Sequence, residues 1–401
     1  MTKKQKYELP ALQFLNDSDP VVADTDDKHI YALVEQVENL FETSGVSGEA
    51  TQIFTGPVVT TIEYKPTPGV NLDKITGLVD KLALALKVKS IRMVVPIPGK
   101  NAIGIEIPNQ MRSSICFRQI QTSDENQQQI STLNICLGLD TAGAPVHSSL
   151  DEISHLFIAG EDVAEKQMSL NVFISSILFR ATPEDVRMLI IDSENRGLHV
   201  FNDIPHLAAP VITNVSQAVN ALAWAVGEME RRYELLKTVR AKEIKEYNRF
   251  VNNQSQKLSH LIIIVDELAD LMAVACQKTE QSVARLAQMA AVSGIHIVVA
   301  TQTPSTDVLP GLFKAHFPTR ISFSISSKTY SWIILDSTEA QTLLGNGDML
   351  VWTAKELGLN RIHGAFITDS ELDYLIKFWQ KQTGSHEEDI FFSIPKSDKL
   401  I

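Results

Sequence analysis

The period of the hydrophobic positions changes part-way along this chain. Ile30, Leu33, Val34, Val37, Leu40 and Phe41 recur at helical spacing and predict a helix over residues 30–44. A turn at Gly56-Pro57 leads into a β-rich run ending at Tyr64, residues 73–87 read as an amphipathic helix, and residues 91–95 and 102–107 flank a Pro-Gly-Lys turn as a hairpin. From His155 onward, short apolar runs at 156–159, 188–191, 261–265, 295–300 and 320–325 alternate with helical patterns, notably 215–237 and 280–292. That alternation predicts an α/β fold with a mostly parallel sheet covered on both faces, preceded by a small α+β unit. The polar stretch 122–131 reads as a loop of the first unit, with the boundary near Ser149 to Ser154. The expected division is an acidic, solvated arm at 1–27, the α+β unit at 28–150, the sheet domain at 151–383 and a tail at 384–401.

Composition narrows the setting. A chain of 401 residues that is 44% hydrophobic and 21% charged can bury two compact cores. Cys116, Cys136 and Cys276 are far apart and without C-x-x-C spacing, so reduced thiols are expected rather than disulfides or a zinc site. The N-terminus lacks an apolar signal region and no run reaches the length of a membrane span, so a cytoplasmic protein with no membrane partner is expected. A net charge of −12 disfavours general attraction to nucleic acid, so any DNA contact needs a locally basic surface.

The candidate chemistry sits at strand ends. Leu261 to Met272, LIIIVDELADLM, is a buried-strand pattern that delivers Asp266 and Glu267 side by side. Such a pair is the acidic half of a P-loop nucleotide site, in which the first carboxylate holds Mg²⁺ and the second polarises the attacking water. The glycine-rich half should stand on an earlier strand. Residues 160–167, Gly-Glu-Asp-Val-Ala-Glu-Lys-Gln, keep the first Gly and the Lys of G-x-x-x-x-G-K-[ST] but have Glu165 and Gln167 for the second Gly and the hydroxyl residue. Gly160, Asp192, Asp266 and Gln302 should all emerge beyond the carboxyl ends of the sheet strands, where ligands of such sheets bind.

Taken in order, these residues resemble the motor region of the FtsK/SpoIIIE family of hexameric double-stranded DNA translocases over about residues 7–380. The resemblance is carried by Tyr7 to Pro10, Gly56 to Thr60, Lys74 to Thr76, Pro96 to Lys100, His155 to Gly160, Glu228 to Tyr233, Val265 to Met272, Ala300 to Gln302, Pro318 to Arg320 and Leu344 to Leu350. It implies an α domain followed by a RecA-like P-loop NTPase domain, assembled as a ring around duplex DNA. It does not extend to the family's membrane segments or its C-terminal winged-helix domain. It further implies that ATP and Mg²⁺ would be held by Gly160, Lys166 and Asp266, with Glu267 as catalytic base and Gln302 as γ-phosphate sensor. Lys314 and Arg320 border the segment that approaches DNA in the family.

The departures from that pattern fall together. Val163 and Glu165 stand where the family has glycines, Gln167 where it has the Mg²⁺-binding hydroxyl, and Thr303 and Trp332 where it has arginines. Glu161, Asp162 and Glu165 add three carboxylates beside the expected polyanion; like charges about 5 Å apart cost on the order of 3 kcal/mol at an effective dielectric of about 20. Other readings of single residues stand beside these. Lys166 also fits a solvated helix position, Asp266-Glu267 an N-cap pair, Gln302 a polar strand cap, and Lys314 and Arg320 isolated surface charges. His155, His206 and His296 read as hydrogen-bonded packing residues. Three functional classes follow: a catalytically impaired ring-forming or DNA-binding subunit, in a homo-hexamer or a mixed ring with an intact motor; an active ATP-driven double-stranded DNA translocase in chromosome segregation and cell division; and a protein-interaction module without ATP or DNA.

Overall fold

The computed structural model describes residues 7–16, 27–128, 131–251, 256–308, 311–354 and 358–383. The first unit opens with α1 (Asp27–Thr43), which buries Val37 and Phe41, the stripe expected from their spacing. It continues through β1 (Gly48–Thr55), β2 (Val59–Pro66), α2 (Leu72–Thr76), α3 (Val79–Ala85), β3 (Arg92–Val94) and β4 (Ile103–Pro108). The strands form an antiparallel sheet in the order β1-β2-β4-β3, so the hairpin is present as read. Two details differ from the pattern. Strand β1 is mostly exposed and too polar to have been read, and the helix expected over 73–87 is two short helices joined at Gly77-Leu78. Ile62, Tyr64, Ile75, Leu82, Ile103 and Ile105 complete this core.

The second unit runs through α4 (Phe117–Gln121), α5 (Asp124–Gln128), β5 (Asn134–Asp140), β6 (Pro145–Ser149), α6 (Leu150–Ile153), β7 (Leu156–Ala159) and α7 (Val163–Leu178). It then takes β8 (Val186–Ile191), α8 (Val215–Val239), α9 (Ile244–Phe250), β9 (His260–Val265), α10 (Leu268–Met289) and β10 (Ile295–Thr301). It ends with α11 (Gly311–His316), β11 (Thr319–Ser322), α12 (Lys328–Leu335), β12 (Asp348–Thr353), β13 (Leu359–Gly364) and α13 (Asp369–Gln380). Its nine-stranded sheet has the order β6-β5-β13-β12-β11-β7-β10-β9-β8. The five strands from β11 to β8 are parallel, as expected, and the other four extend one side in antiparallel pairs.

The unbroken apolar strands are explained by burial on both faces. Leu156 and Ile158 of β7 face the core shared with α7 and α13, whereas Phe157 and Ala159 face the one shared with α8 and α10. β9 divides in the same way, with Ile262 and Ile264 against Leu261, Ile263 and Val265.

Three expectations about organisation need correction. The boundary drawn at 149–154 would separate β5 and β6 from the sheet to which they are hydrogen-bonded, because β5 pairs with β13. Membership of the sheet puts the break between β4 and α4. Residues 122–131, read as a loop, include α5, which Asn126 ties down by donating to the Gln121 carbonyl at 2.7 Å. The arm is not wholly solvated either. Tyr7 packs against Trp379, Phe14 stacks on Tyr374 at 4.0 Å, and the Asn16 N–H donates to Glu371. The acidic cluster at Asp17, Asp19, Asp24 and Asp26, like the tail at 384–401, lies outside the described residues.

The units meet through buried charge. Arg361 of β13 donates to both oxygens of Asp348 and to Glu106 of β4, and Arg92 of β3 donates to Glu106 and Glu339. Although burial alone would raise it, the Asp348 carboxyl is held well below the usual carboxylate range by the hydrogen bonds of Arg361, with the His363 ring 3.2 Å away.

Candidate nucleotide site

The four residues expected at strand ends are where the pattern put them. Gly160 follows β7, Asp192 follows β8, Asp266 follows β9 and Gln302 follows β10. The parallel register brings Lys166, Asp266, Glu267 and Gln302 into one cluster. Lys166 is fully buried, and its Nζ donates to the Asp266 carbonyl at 2.7 Å and lies 3.3 Å from Asp266 Oδ1 and 3.4 Å from Glu267 Oε2. The solvated-helix reading of this lysine is therefore wrong. Glu267 is both N-cap and hub: Oε1 accepts from Ala269 N–H and Thr301 Oγ1, and Oε2 from Gln302 N–H at 2.9 Å. Asp192 turns back onto its own loop and accepts from the N–H groups of Arg196, Gly197 and Leu198.

The phosphate-loop segment has a different shape from a loop. A phosphate cradle needs successive backbone N–H groups left free to point at the ligand. Here α7 is already helical from Val163, and the Asp162 side chain caps it by accepting from the N–H groups of Ala164 at 2.7 Å and Glu165 at 3.4 Å. The Lys166 N–H goes to the Asp162 carbonyl, that of Gly160 to the Thr301 carbonyl and that of Glu161 to the Ser324 carbonyl. The helix N-terminus, which favours an anion, already holds one from its own chain. Gly160 is required for packing: a Cβ there would stand 2.8 Å from Cβ of Phe323.

Of the three extra acids, each has its own fate. Glu161 turns outward and accepts from Ser326 Oγ. Asp162 is the cap. Glu165, 6% exposed, points inward, where Oε1 accepts from the Gly347 N–H at 3.0 Å and Oε2 has no partner among the described residues. Burial, together with the nearby Asp162 and Asp348, pushes its carboxyl above the usual value. The donor turn Gly345-Asn346-Gly347 has left-handed backbone at all three positions, which explains its glycines. This contact was missed from sequence, because Glu165 was weighed only as a charge against phosphate.

Burial also raises the Asp266 carboxyl, against the opposing pull of Lys166. The Gln302 Nε2 and Gln167 Oε1 are buried without partners, so the cluster keeps polar groups for which the described protein supplies no hydrogen bond. Among the described residues no group of three or more His, Cys, Asp or Glu is arranged to hold a metal ion.

The basic residues considered for DNA do not form a patch. Arg320 is 4% exposed, with its guanidinium 3.9 Å from the Trp352 ring and 3.6 Å from Asp336. Lys314 donates to the Asp336 carboxylate and the Trp332 carbonyl. Both charges are answered internally, which counts against Arg320 as a phosphate contact. Trp332 itself is exposed on α12. The histidines are packing groups as read: His155 accepts from the Ile297 N–H, and burial first of all lowers His155 and His206 to about 3.

The sequence profile of the FtsK/SpoIIIE family matches residues 117–306, and that of the FtsK alpha domain matches residues 9–109. DNA translocase SpoIIIE of Bacillus subtilis (strain 168) is 42% identical over 381 residues, which are 93% of this chain and 48% of that protein. DNA translocase FtsK of Bacillus anthracis is 41% identical over 396 residues, 97% of this chain and 50% of that protein. The chain thus spans about half the length of the curated relatives it matches. Among solved structures, the pCW3 conjugation coupling protein TcpA with ATPγS is similar in fold at a TM-score of 0.59 and 19% identity, covering 86% of this chain and 99% of that one. The cytoplasmic domain of the Type VII secretion ATPase EccC of Thermomonospora curvata gives 0.57 and 20%, over 68% of this chain and 35% of that one. No helix of the described chain is long and apolar enough to cross a membrane.

Proposed function

Because the chain belongs to the FtsK/SpoIIIE family, we propose that it is a motor-fold subunit without ATP hydrolysis, acting in a ring on double-stranded DNA, either as a homo-hexamer or beside an intact motor. The observation that carries this reading is the self-occupied start of α7. To seat a triphosphate, Asp162 would have to leave the helix N-terminus, Glu165 would have to leave the Gly347 N–H, and Lys166 would have to leave two carboxylates. Breaking one buried ion pair costs on the order of 3–5 kcal/mol, so the rearrangement opposes a binding energy of comparable size. The residues present do not fit Mg-ATP, and no hydrolytic step is assigned to Glu267 or Gln302. DNA contact then belongs to the assembled ring rather than to Arg320, and the protein works on the cytoplasmic side.

One observation favours an active, ATP-driven translocase instead: Lys166, Asp266, Glu267 and Gln302 do converge. Measured turnover separates the two. Purified protein with long duplex DNA and Mg-ATP is expected to show no DNA-stimulated phosphate release. Turnover of about one per second, abolished in Glu267→Gln, contradicts the proposal, since that rate lies in the ordinary enzyme range.

A further inference from the structure

Where the two units meet, a groove of about 500 Å³ opens between α1, the segment after α3, the chain that leaves β4 and Leu344 of the second unit. Part of its wall is apolar, with Ile30, Leu33, Val88, Ile107 and, from the second unit, Leu344, beside the polar Gln36, Thr60, Asn109 and Gln110. Its charge is of one sign: Lys87, Lys89 and Arg112 line it, and none of the described lining residues is Asp or Glu. That is unexpected in a chain with 48 acidic residues against 36 basic ones. Among the described residues neither lysine has an ion-pair partner, and Arg112 makes only a 3.5 Å contact to the Leu344 carbonyl. Lys87 also holds a left-handed conformation just past α3, a position where glycine is the favoured residue.

Uncovered apolar side chains adjoin the groove's lining residues in the chain. Leu84, Met111 and Tyr31 are 82%, 71% and 70% exposed, the three most exposed large hydrophobic residues of the described chain. Each is the immediate chain neighbour of a lining residue: Ala85, Arg112 and Ile30. A concave surface that combines apolar lining residues with three unopposed cations fits the anatomy of a protein contact, in which apolar anchors enter a pocket and charges at the rim select the partner.

We propose that this groove docks an acidic peptide segment of a partner protein, with apolar side chains of the segment seated on the Ile30, Leu33 and Ile107 wall and its carboxylates facing Lys87, Lys89 and Arg112. A small inorganic anion would leave the apolar part of the lining unused. A duplex backbone would do the same, since phosphates and sugars supply no apolar anchor.

The test is fluorescence anisotropy of the full chain with a short labelled peptide alternating Asp or Glu with Leu and Phe, against a control with Lys at the acidic positions. The acidic peptide is expected to bind saturably, to weaken with added salt, and to weaken about tenfold or more in Lys87→Glu combined with Lys89→Glu. Met111→Asp, which leaves the charges in place, should weaken it separately. All three positions are exposed, so melting temperatures should not change. Several results overturn the proposal: no saturable binding, equal binding of the two peptides, or insensitivity to charge reversal. Displacement of the peptide by equimolar pyrophosphate would reassign the groove to a small anion. Self-association of the free protein that the lysine variants abolish would reassign it to a second copy of the chain.

Discussion

Glu165 lies where a glycine would let phosphate approach, yet its carboxyl is turned inward onto the Gly347 N–H. That contact makes the residue a fastener, tying α7 to the turn before β12. The sign of its pH dependence follows from burial. With the folded-state value raised above the ordinary value of about 4.3, the ionised form is disfavoured by folding. The resulting cost is absent below the ordinary value and is fully present once the pH exceeds the raised one. Glu165→Gln keeps an acceptor for Gly347 and removes the charge, so it is expected to raise the melting temperature near pH 7. The difference should shrink as the pH falls towards about 4. Thermal melts of both proteins at the two pH values check this. A less stable variant near pH 7 would mean that the ionised carboxylate has a favourable partner.

Elements were legible where one physical signal dominated. The doubly buried strands β7, β9 and β10 were read from their continuous apolar runs, and α8 was read within two residues of its end. The misses have a common cause. Strand β1 is polar and exposed, and β5 and β6 join the large sheet through pairing with β13, more than 200 residues away, which no local period reports. The candidate site divided in the same way. Asp266 and Glu267 were legible from a strand that ends in two acids, but the inward turn of Glu165 depends on Gly347, which the fold alone brings near. The α7 to β12 junction continues through Asp348 and Arg361 to Glu106 of the first unit, so α7 is mechanically tied to the unit interface. Asp348→Asn removes one partner of that buried pair and should cost about 3–5 kcal/mol in chemical denaturation. A loss below about 1 kcal/mol would show that the pair contributes little and that the tie is dispensable.

Across the whole molecule both family units are in place, and on the proposed reading the departures from the family pattern gather around one chemistry. Family-like matches run through the first unit as fully as through the second. If the proposed reading holds, ring formation is expected to persist, weakly and with DNA dependence, because a nucleotide bridging neighbouring subunits would then not shift the equilibrium by mass action. Light scattering at high concentration should detect oligomers on adding duplex DNA or an intact relative; a monomer under every condition would remove the ring subunit and leave an interaction module. On the proposed reading, the chain's own carboxylates occupy the place of phosphate. Calorimetric titration with Mg-ATP tests it directly, using the natural chain beside the triple variant Val163→Gly, Glu165→Gly, Gln167→Ser. The natural chain should show no saturation below about millimolar, and the triple variant, which restores loop freedom, charge and hydroxyl together, should bind far more tightly. Micromolar binding by the natural chain, lost in Lys166→Ala, would contradict the account.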